Sequence, residues 1–384
     1  MAGSQADPRR DLLLRLYRAA LAAVDGRRRV RASLAPYTDQ AAVSALAVGK
    51  AAAAMMLGAA DALGTRLERG LVVAPAGAIP PELLDDPRIQ CRAGSHPLPD
   101  ERSLEAGRAA LAFAAATKPG SRVLLLVSGG ASSLLEVPAP GVSLDALRLP
   151  YQDALSQGLE IEELNARRRA LSQLKGGGLP ALFKDCQVEG LMISDVPGDD
   201  PAIVGSGLLD EPDCKVTLVG CLDDALDAAL RAARAEGLAA ERMPERLRGD
   251  AATAAQRICH ELALARTELQ IWGGETVVRL PEAAGRGGRC QHLALAAAAG
   301  IAGHPEYLLL AAGTDGRDGA SEDAGAIVDG DKERRAIEAG YPIHEILEAA
   351  DSGRALEATG DLVYTGDTGT NVGDIVLALR LAPA

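Results

Sequence analysis

Between Arg122 and Ser128 the chain reads RVLLLVS, and a glycine–serine stretch, GGASS, follows at once. An aliphatic run this continuous suits a strand buried on both faces, which is the hallmark of a parallel sheet covered by helices. The pattern recurs. VSALAVG at 43–49 leads into the helical AAAAMMLGAADALG, VEGLMIS occupies 188–194, and KVTLVG at 215–220 precedes LDDALDAALRAARAEG. DLLLRLYRAALAAV at 11–24 also has helical spacing. A strand–turn–helix rhythm of this kind predicts α/β architecture.

The polar stretch ERMPERLRGD at 241–250 interrupts the rhythm and predicts a boundary, giving domains 1–248 and 249–384. Beyond it, TELQIWGGETVVRLP reads as two strands meeting at Gly273 and Gly274, and YLLLAAG and VGDIVLALRL read as further strands. The expected fold class is therefore an N-terminal Rossmann-like parallel sheet with helices on both faces, plus a smaller C-terminal α/β domain. At 384 residues each domain can bury its own core. Aromatic residues make up only 2%, so those cores must be aliphatic.

A formal charge of −13 argues against nucleic acid or an anionic membrane as partner, since both require a basic footprint. Anionic small molecules remain open, because a local basic loop can outweigh global charge. The six cysteines form no CxxC pair and no zinc-site spacing, which reads as reduced buried thiols. The first ten residues, MAGSQADPRR, lack the apolar core of a signal peptide, and charges break the alanine-rich runs before they could span a membrane. A cytoplasmic protein is expected, with homodimerisation left open.

Ligands of open α/β sheets bind beyond the carboxyl ends of the strands. Polar, glycine-rich clusters fall there repeatedly: Gly49-Lys50, SGGASS at 128–133, SDVPGDD at 194–200, AGTDGRDG at 312–319 and TGDTGTN at 365–371. Only six of the 40 basic residues are lysine, and two of these, Lys50 and Lys175, stand beside glycines. Lys50 follows a strand and opens a helix, where a mobile cation would meet an anion; a solvated turn lysine is the alternative. Lys175 alone is weaker, since a basic residue before glycine is an ordinary helix ending. In Ser128, Gly129, Gly130, Ser132 and Ser133, the glycines would let backbone N–H groups approach a phosphate and the serines would add donors, although no Walker A pattern is present.

Asp195, Asp199 and Asp200 share one loop, and Asp315 and Asp318 another. Such carboxylates suit Mg²⁺ or a substrate hydroxyl, and they equally suit Asx turns. The GRGGR stretch puts Arg286 and Arg289 on a glycine frame before a helix, an anion-binding candidate with Glu275 placed to orient one arginine. The flanking glycines suggest that little packing depends on the Arg289 side chain. His96, followed by Pro97, reads as a structural loop residue rather than a base.

In this order, the motifs AVGKAA, GSHPLPDE, LVSGGASSLL, LNARRRALSQLKGG, ISDVPGDDPAIVGSG, WGGETVV, GRGGRCQ, AAGTDGRDG and TGDTGTNVGD resemble the class II glycerate kinases. That family pairs an N-terminal glycerate-kinase domain with a C-terminal MOFRL domain, and the resemblance runs roughly from residue 40 to residue 380. It implies ATP-dependent phosphorylation of D-glycerate, usually to 2-phosphoglycerate, in a cleft between the domains and with a divalent metal, here Mg²⁺. It implies catalytic roles for Lys50 and Arg289, which would neutralise the transferred group, and for Asp195. It places Ser128 to Ser133, Lys175, Glu275, Arg286, Asp315, Thr370 and Asn371 around substrate and nucleotide, with Asp195 and Asp315 as the metal carboxylates.

The sequence departs from the family pattern in several places. Cys290-Gln291-His292 stands where Asn-Gln-Glu is usual, Asp367 replaces Pro, Gly373 replaces Asn, and the segment after Gly207 is much shortened. Two other readings are a nicotinamide-dependent hydroxypyruvate reductase, a label family members have carried, and a non-catalytic relative. The reductase needs a GxGxxG fingerprint after a strand, and neither SGGASS nor GRGGR fits it.

Overall fold

The computed structural model describes residues 7–36, 40–157 and 161–381, which fall into two compact units. The first comprises Val24–Cys221 together with Gly369–Val372. The second comprises Leu222–Thr368, the chain from Gly373 onward, and the N-terminal segment through Ala23.

In the first unit, β1 (Val43–Val48), β2 (Leu67–Pro75), β3 (Ile89–Gly94), β4 (Arg122–Val127), β5 (Gln187–Ile193) and β6 (Lys215–Gly220) form one sheet in the order β3-β2-β1-β4-β5-β6. Every pairing is parallel. This is the doubly wound order, and its direction of winding reverses between β1 and β4, the place where such sheets hold ligands. On one face Leu46, Val48, Leu71, Val73 and Leu125 pack with Ala106, Ala110 and Phe113 of the helix Glu101–Ala115. The alternate residues Ala45, Ala47 and Val72 are also buried, and the helix Ala52–Leu63 packs on β1 and β2. Burial on both faces explains the aliphatic runs within these strands.

In the second unit the order is β11-β10-β9-β12-β8-β7, from β7 (Ala240–Arg242), β8 (Leu269–Gly274), β9 (Tyr307–Gly313), β10 (Gly325–Asp329), β11 (Leu362–Val363) and β12 (Asp374–Arg380). This sheet is mixed. β12 lies antiparallel between β8 and β9, so its amino end sits at the same edge as their carboxyl ends. The loop that precedes β12 and the loops that follow β8 and β9 are thereby brought together.

Two expectations need correcting. The chain does not divide simply at residue 248. β7 pairs with β8, and the helix Leu222–Ala235 packs on β8 and against the helix Pro8–Ala23, so all three belong to the second unit. The expected strand after Gly274 does not form either. The β8–β12 pairing ends at Asp374 opposite Gly274, leaving the next residues no strand to join, and Val277 and Leu280 are exposed. Among the described residues, no helix is long and apolar enough to cross a membrane.

Candidate active site

In the first unit the site is built at the ends of β1, β4 and β5. Gly49 follows β1 with φ +128°, and the space a Cβ would need there is filled by Ser128 at the end of β4. The two strand ends are then tied. Lys50 donates its N–H to the Gly129 carbonyl at 2.9 Å, and Ala51 donates to Ser128 Oγ at 3.0 Å. Ser128 thus serves an unsatisfied N–H at the start of the helix Ala52–Leu63. Gly129 is needed for a different reason. A side chain there would overlap Asp195 Oδ2 and Asn371 Nδ2, which lie directly against its backbone. Asn371 donates to Asp195 Oδ2 at 2.9 Å and so orients this half-buried carboxylate. Gly130 adopts the left-handed conformation, with His96 and the Lys50 stem packed beside it.

Lys50, Gly129, Gly130, Asp195 and Asn371 therefore converge at the switch point. His96, read from sequence as merely structural, joins them and is exposed; its motif GSHPLPDE was the available signal. Other candidates are turned away. Ser132 is buried and shares hydrogen bonds with Tyr151 OH at 3.2 Å and Ser206 Oγ at 2.8 Å. Ser133 is buried and donates to the Gly130 carbonyl. Thr370 is buried beside Asn371. Lys175 is the clearest correction. Its ammonium is buried in an ion pair with Glu136, which also accepts from Ser172, so it neutralises an internal carboxylate and is not presented to a ligand. Asp200 accepts from Ala202 N at 2.9 Å, an Asx turn.

In the second unit Arg289 opens the helix Arg289–Gly300 at the edge where β8, β9 and β12 meet. It makes a two-pronged contact with Asp374, at 2.6 and 3.0 Å, and its third nitrogen lies 2.6 Å from Glu275. Burial works against the Arg289 charge, but Asp374 and Glu275 more than offset it, and the guanidinium is held firmly protonated. Asp318 accepts from the N–H groups of Cys290 and Gln291 at 3.0 and 2.7 Å and so caps the helix from a neighbouring loop. Asp315 is half-buried and closes a turn onto Arg317 N at 3.1 Å. Arg286 stands apart from this cluster. It is exposed and paired on the surface with Glu357 at 2.7 Å and Asp323 at 3.3 Å.

Burial pushes the Asp318 carboxyl up to about 7, the Gln291 N–H opposing this and the nearby Asp374 charge reinforcing it. The folded state therefore holds a proton that the unfolded chain, with its aspartates near ~3.9, releases earlier. The stabilisation this group contributes is present below that unfolded value and is lost as pH rises through about 7. Asp318→Asn, which cannot ionise, is expected to lose less stability between pH 4 and pH 7 than the parent in urea unfolding. Identical pH slopes would show that Asp318 titrates as an ordinary carboxylate.

Residues 12–218 match the family described as a domain of unknown function, DUF4147, and residues 268–374 match the MOFRL family. The D-glycerate 2-kinase of Thermotoga maritima is 32% identical, across 96% of this chain and 97% of its own. The chain belongs to the glycerate kinase family. An Agrobacterium vitis relative provisionally named a hydroxypyruvate reductase is 33% identical, over 95% of this chain and 93% of its own. The crystal structure of the Thermotoga maritima glycerate kinase superposes with a TM-score of 0.84 at 31% identity, covering 97% of this chain and 99% of that one. As a glycerate kinase family member, the chain carries the two-domain α/β architecture of that structure.

Proposed function

We propose that this protein transfers the terminal phosphoryl group of ATP to D-glycerate, forming 2-phosphoglycerate. The observation that carries the proposal is the convergence of a lysine, a glycine pair and an oriented aspartate at the switch point of the first sheet. Phosphoryl transfer asks mainly for positioning and charge neutralisation. Lys50 supplies the positive charge toward the phosphates. The Gly129–Gly130 backbone admits a close-lying anion. Asp195, oriented through Oδ2 by Asn371, is placed to accept the hydrogen bond of the attacking hydroxyl. Arg289, fixed by Asp374 and Glu275, ties the start of β12 and the residue after β8 to the helix Arg289–Gly300 in the second unit.

The residues fit a magnesium ion that arrives with the nucleotide. Among the described residues no group of three or more His, Cys, Asp or Glu side chains could hold a metal alone. Mg²⁺ needs only one or two carboxylates besides phosphate oxygens and water, so Asp195 or Asp315 is sufficient. The ion would supply neutralisation of phosphate charge. That none of the six cysteines is in a disulfide supports a cytoplasmic location for this activity.

The strand order of the first sheet is shared with dinucleotide-binding domains, so the fold alone does not separate kinase from reductase. The loop after β1 does. It reads Gly49-Lys50-Ala51, with alanine at the position where a dinucleotide fingerprint needs its second glycine and a lysine beside it. An assay of ADP release with Mg²⁺ and a panel of hydroxy acids tests the reading. ADP formation dependent on D-glycerate, with a product that enolase accepts directly, is expected. No ADP with any hydroxy acid, together with NADH consumption on hydroxypyruvate, overturns it in favour of a reductase.

A further inference from the structure

Three consecutive arginines, Arg167, Arg168 and Arg169, end the helix Ile161–Ala170. Two have anionic neighbours: Arg167 meets Glu163 at 2.7 Å, and Arg169 lies 3.8 Å from Asp210. Arg168 has no carboxylate partner among the described residues. Its guanidinium lies 3.8 Å over the Tyr151 ring, and its Nε is buried with no acceptor. Burial pulls its pKa below the usual arginine value, Tyr151 and Glu136 acting weakly in the other direction. Glu136 is already neutralised by Lys175. A cation taken from water without a counter-charge is costly, and such a site is completed by an anion.

The same helix face connects Arg168 to the phosphate-loop candidate. Asn165 lies three residues earlier, hence on the same face, and accepts from Ser206 Oγ at 2.8 Å; Ser206 in turn bonds Ser132 Oγ at 2.8 Å. Tyr151, under the guanidinium, donates its OH to the Ser132 carbonyl at 3.0 Å. Both routes end in the loop that carries Gly129 and Gly130. Arg168 is thus linked to that loop through Tyr151 and through the face it shares with Asn165, stacked and charged.

Resting on the kinase reading, we infer that Arg168 binds the carboxylate of the acceptor acid, so that the hydroxyl rather than the carboxylate is turned toward Asp195. The planar guanidinium can hold both carboxylate oxygens at once, which gives orientation as well as affinity. It also makes the acceptor class specific: a 2- or 3-hydroxy acid, and not a neutral polyol.

The test compares Arg168→Gln and Arg168→Lys with the parent, in the full chain, on D-glycerate and on uncharged D-glyceramide. Losing a charge-assisted two-pronged contact is expected to raise KM for D-glycerate by ~30- to 100-fold in the Gln variant and by less in the Lys variant. KM for ATP should stay within about twofold, and the Gln variant should lose the parent's preference for acid over amide. A structural role alone would lower Tm or kcat without touching that preference. Calorimetric titration of D-glycerate into the full chain without nucleotide reads the contact independently of turnover. If the parent phosphorylates D-glycerate and both variants keep its KM and its acid preference, the inference fails and the kinase reading stands. If the parent neither binds nor phosphorylates D-glycerate, both fail together.

Discussion

Lys50→Ala is expected to lower kcat by ~10²-fold or more while leaving Tm within a degree or two of the parent. The two effects separate because of how the residue is held. Lys50 donates its backbone N–H to the Gly129 carbonyl, a contact that alanine retains. Its side chain is half-buried beside Gly130 and leaves no core cavity when removed. What disappears is a positive charge where phosphate charge must be neutralised. The measurement is kcat by ADP release together with thermal unfolding by circular dichroism. A folded variant with near-parental kcat would remove Lys50 from the chemistry.

Arg289→Met is expected to be the most destabilising of the changes considered, by about 2–3 kcal/mol in urea unfolding. That lies at or below the ~3–5 kcal/mol for breaking a fully buried pair, because the guanidinium is 34% exposed. The substitution leaves Asp374, 6% exposed, facing Asp318 and Glu275 without a cation between them. Combining it with Asp374→Asn should recover much of the loss, since the stranded charge is then gone. Arg289→Lys should be intermediate, as an ammonium cannot span both oxygens of Asp374. Here the structure alters the expectation drawn from the glycine-rich flanks. Arg289 is not a free side chain on a flexible frame, so its loss is read in stability as well as in rate. If single and double variants unfold alike with the parent, the Asp374 contact is energetically idle.

The parts of the fold that were legible in the sequence are those fixed by local pattern. β1, β4 and β5 announce themselves because the later part of each, residues 45–48, 123–127 and 190–193, is apolar and buried on both faces. The pattern marks neither β2 nor β3, because polar residues interrupt both: Glu68 is exposed and Arg69 half-buried in β2, and Gln90 is exposed and Cys91 and Arg92 only half-buried in β3. β12 was legible as a strand, but its direction was not, since direction is set by the strands it joins rather than by its own side chains. The candidate site divides in the same way. Lys50, Asp195 and Asn371 sit at strand ends, which the pattern marks. The ion pair of Lys175 with Glu136 spans 39 residues and that of Arg289 with Asp374 spans 85, and neither leaves a mark on the local sequence.

The way the chain is shared between the two units bears on how genes of this family can be cut and joined. The MOFRL match runs through residue 374 and so contains Gly369–Val372, which belong with the parallel sheet and include the amide that orients Asp195. Conversely, the N-terminal helix Pro8–Ala23 serves the other unit, where Tyr17 donates to the Gly313 carbonyl and Arg9 to the carbonyls of Pro305 and Leu381. Each block of sequence thus holds a piece of its neighbour's structure. A recombination that replaced the MOFRL block alone would strip Asp195 of its partner, and one that trimmed the first twenty-three residues would uncover the second unit. The two blocks should therefore travel through genomes as one inherited pair and should not be found shuffled onto unrelated domains without a substitute for Asn371.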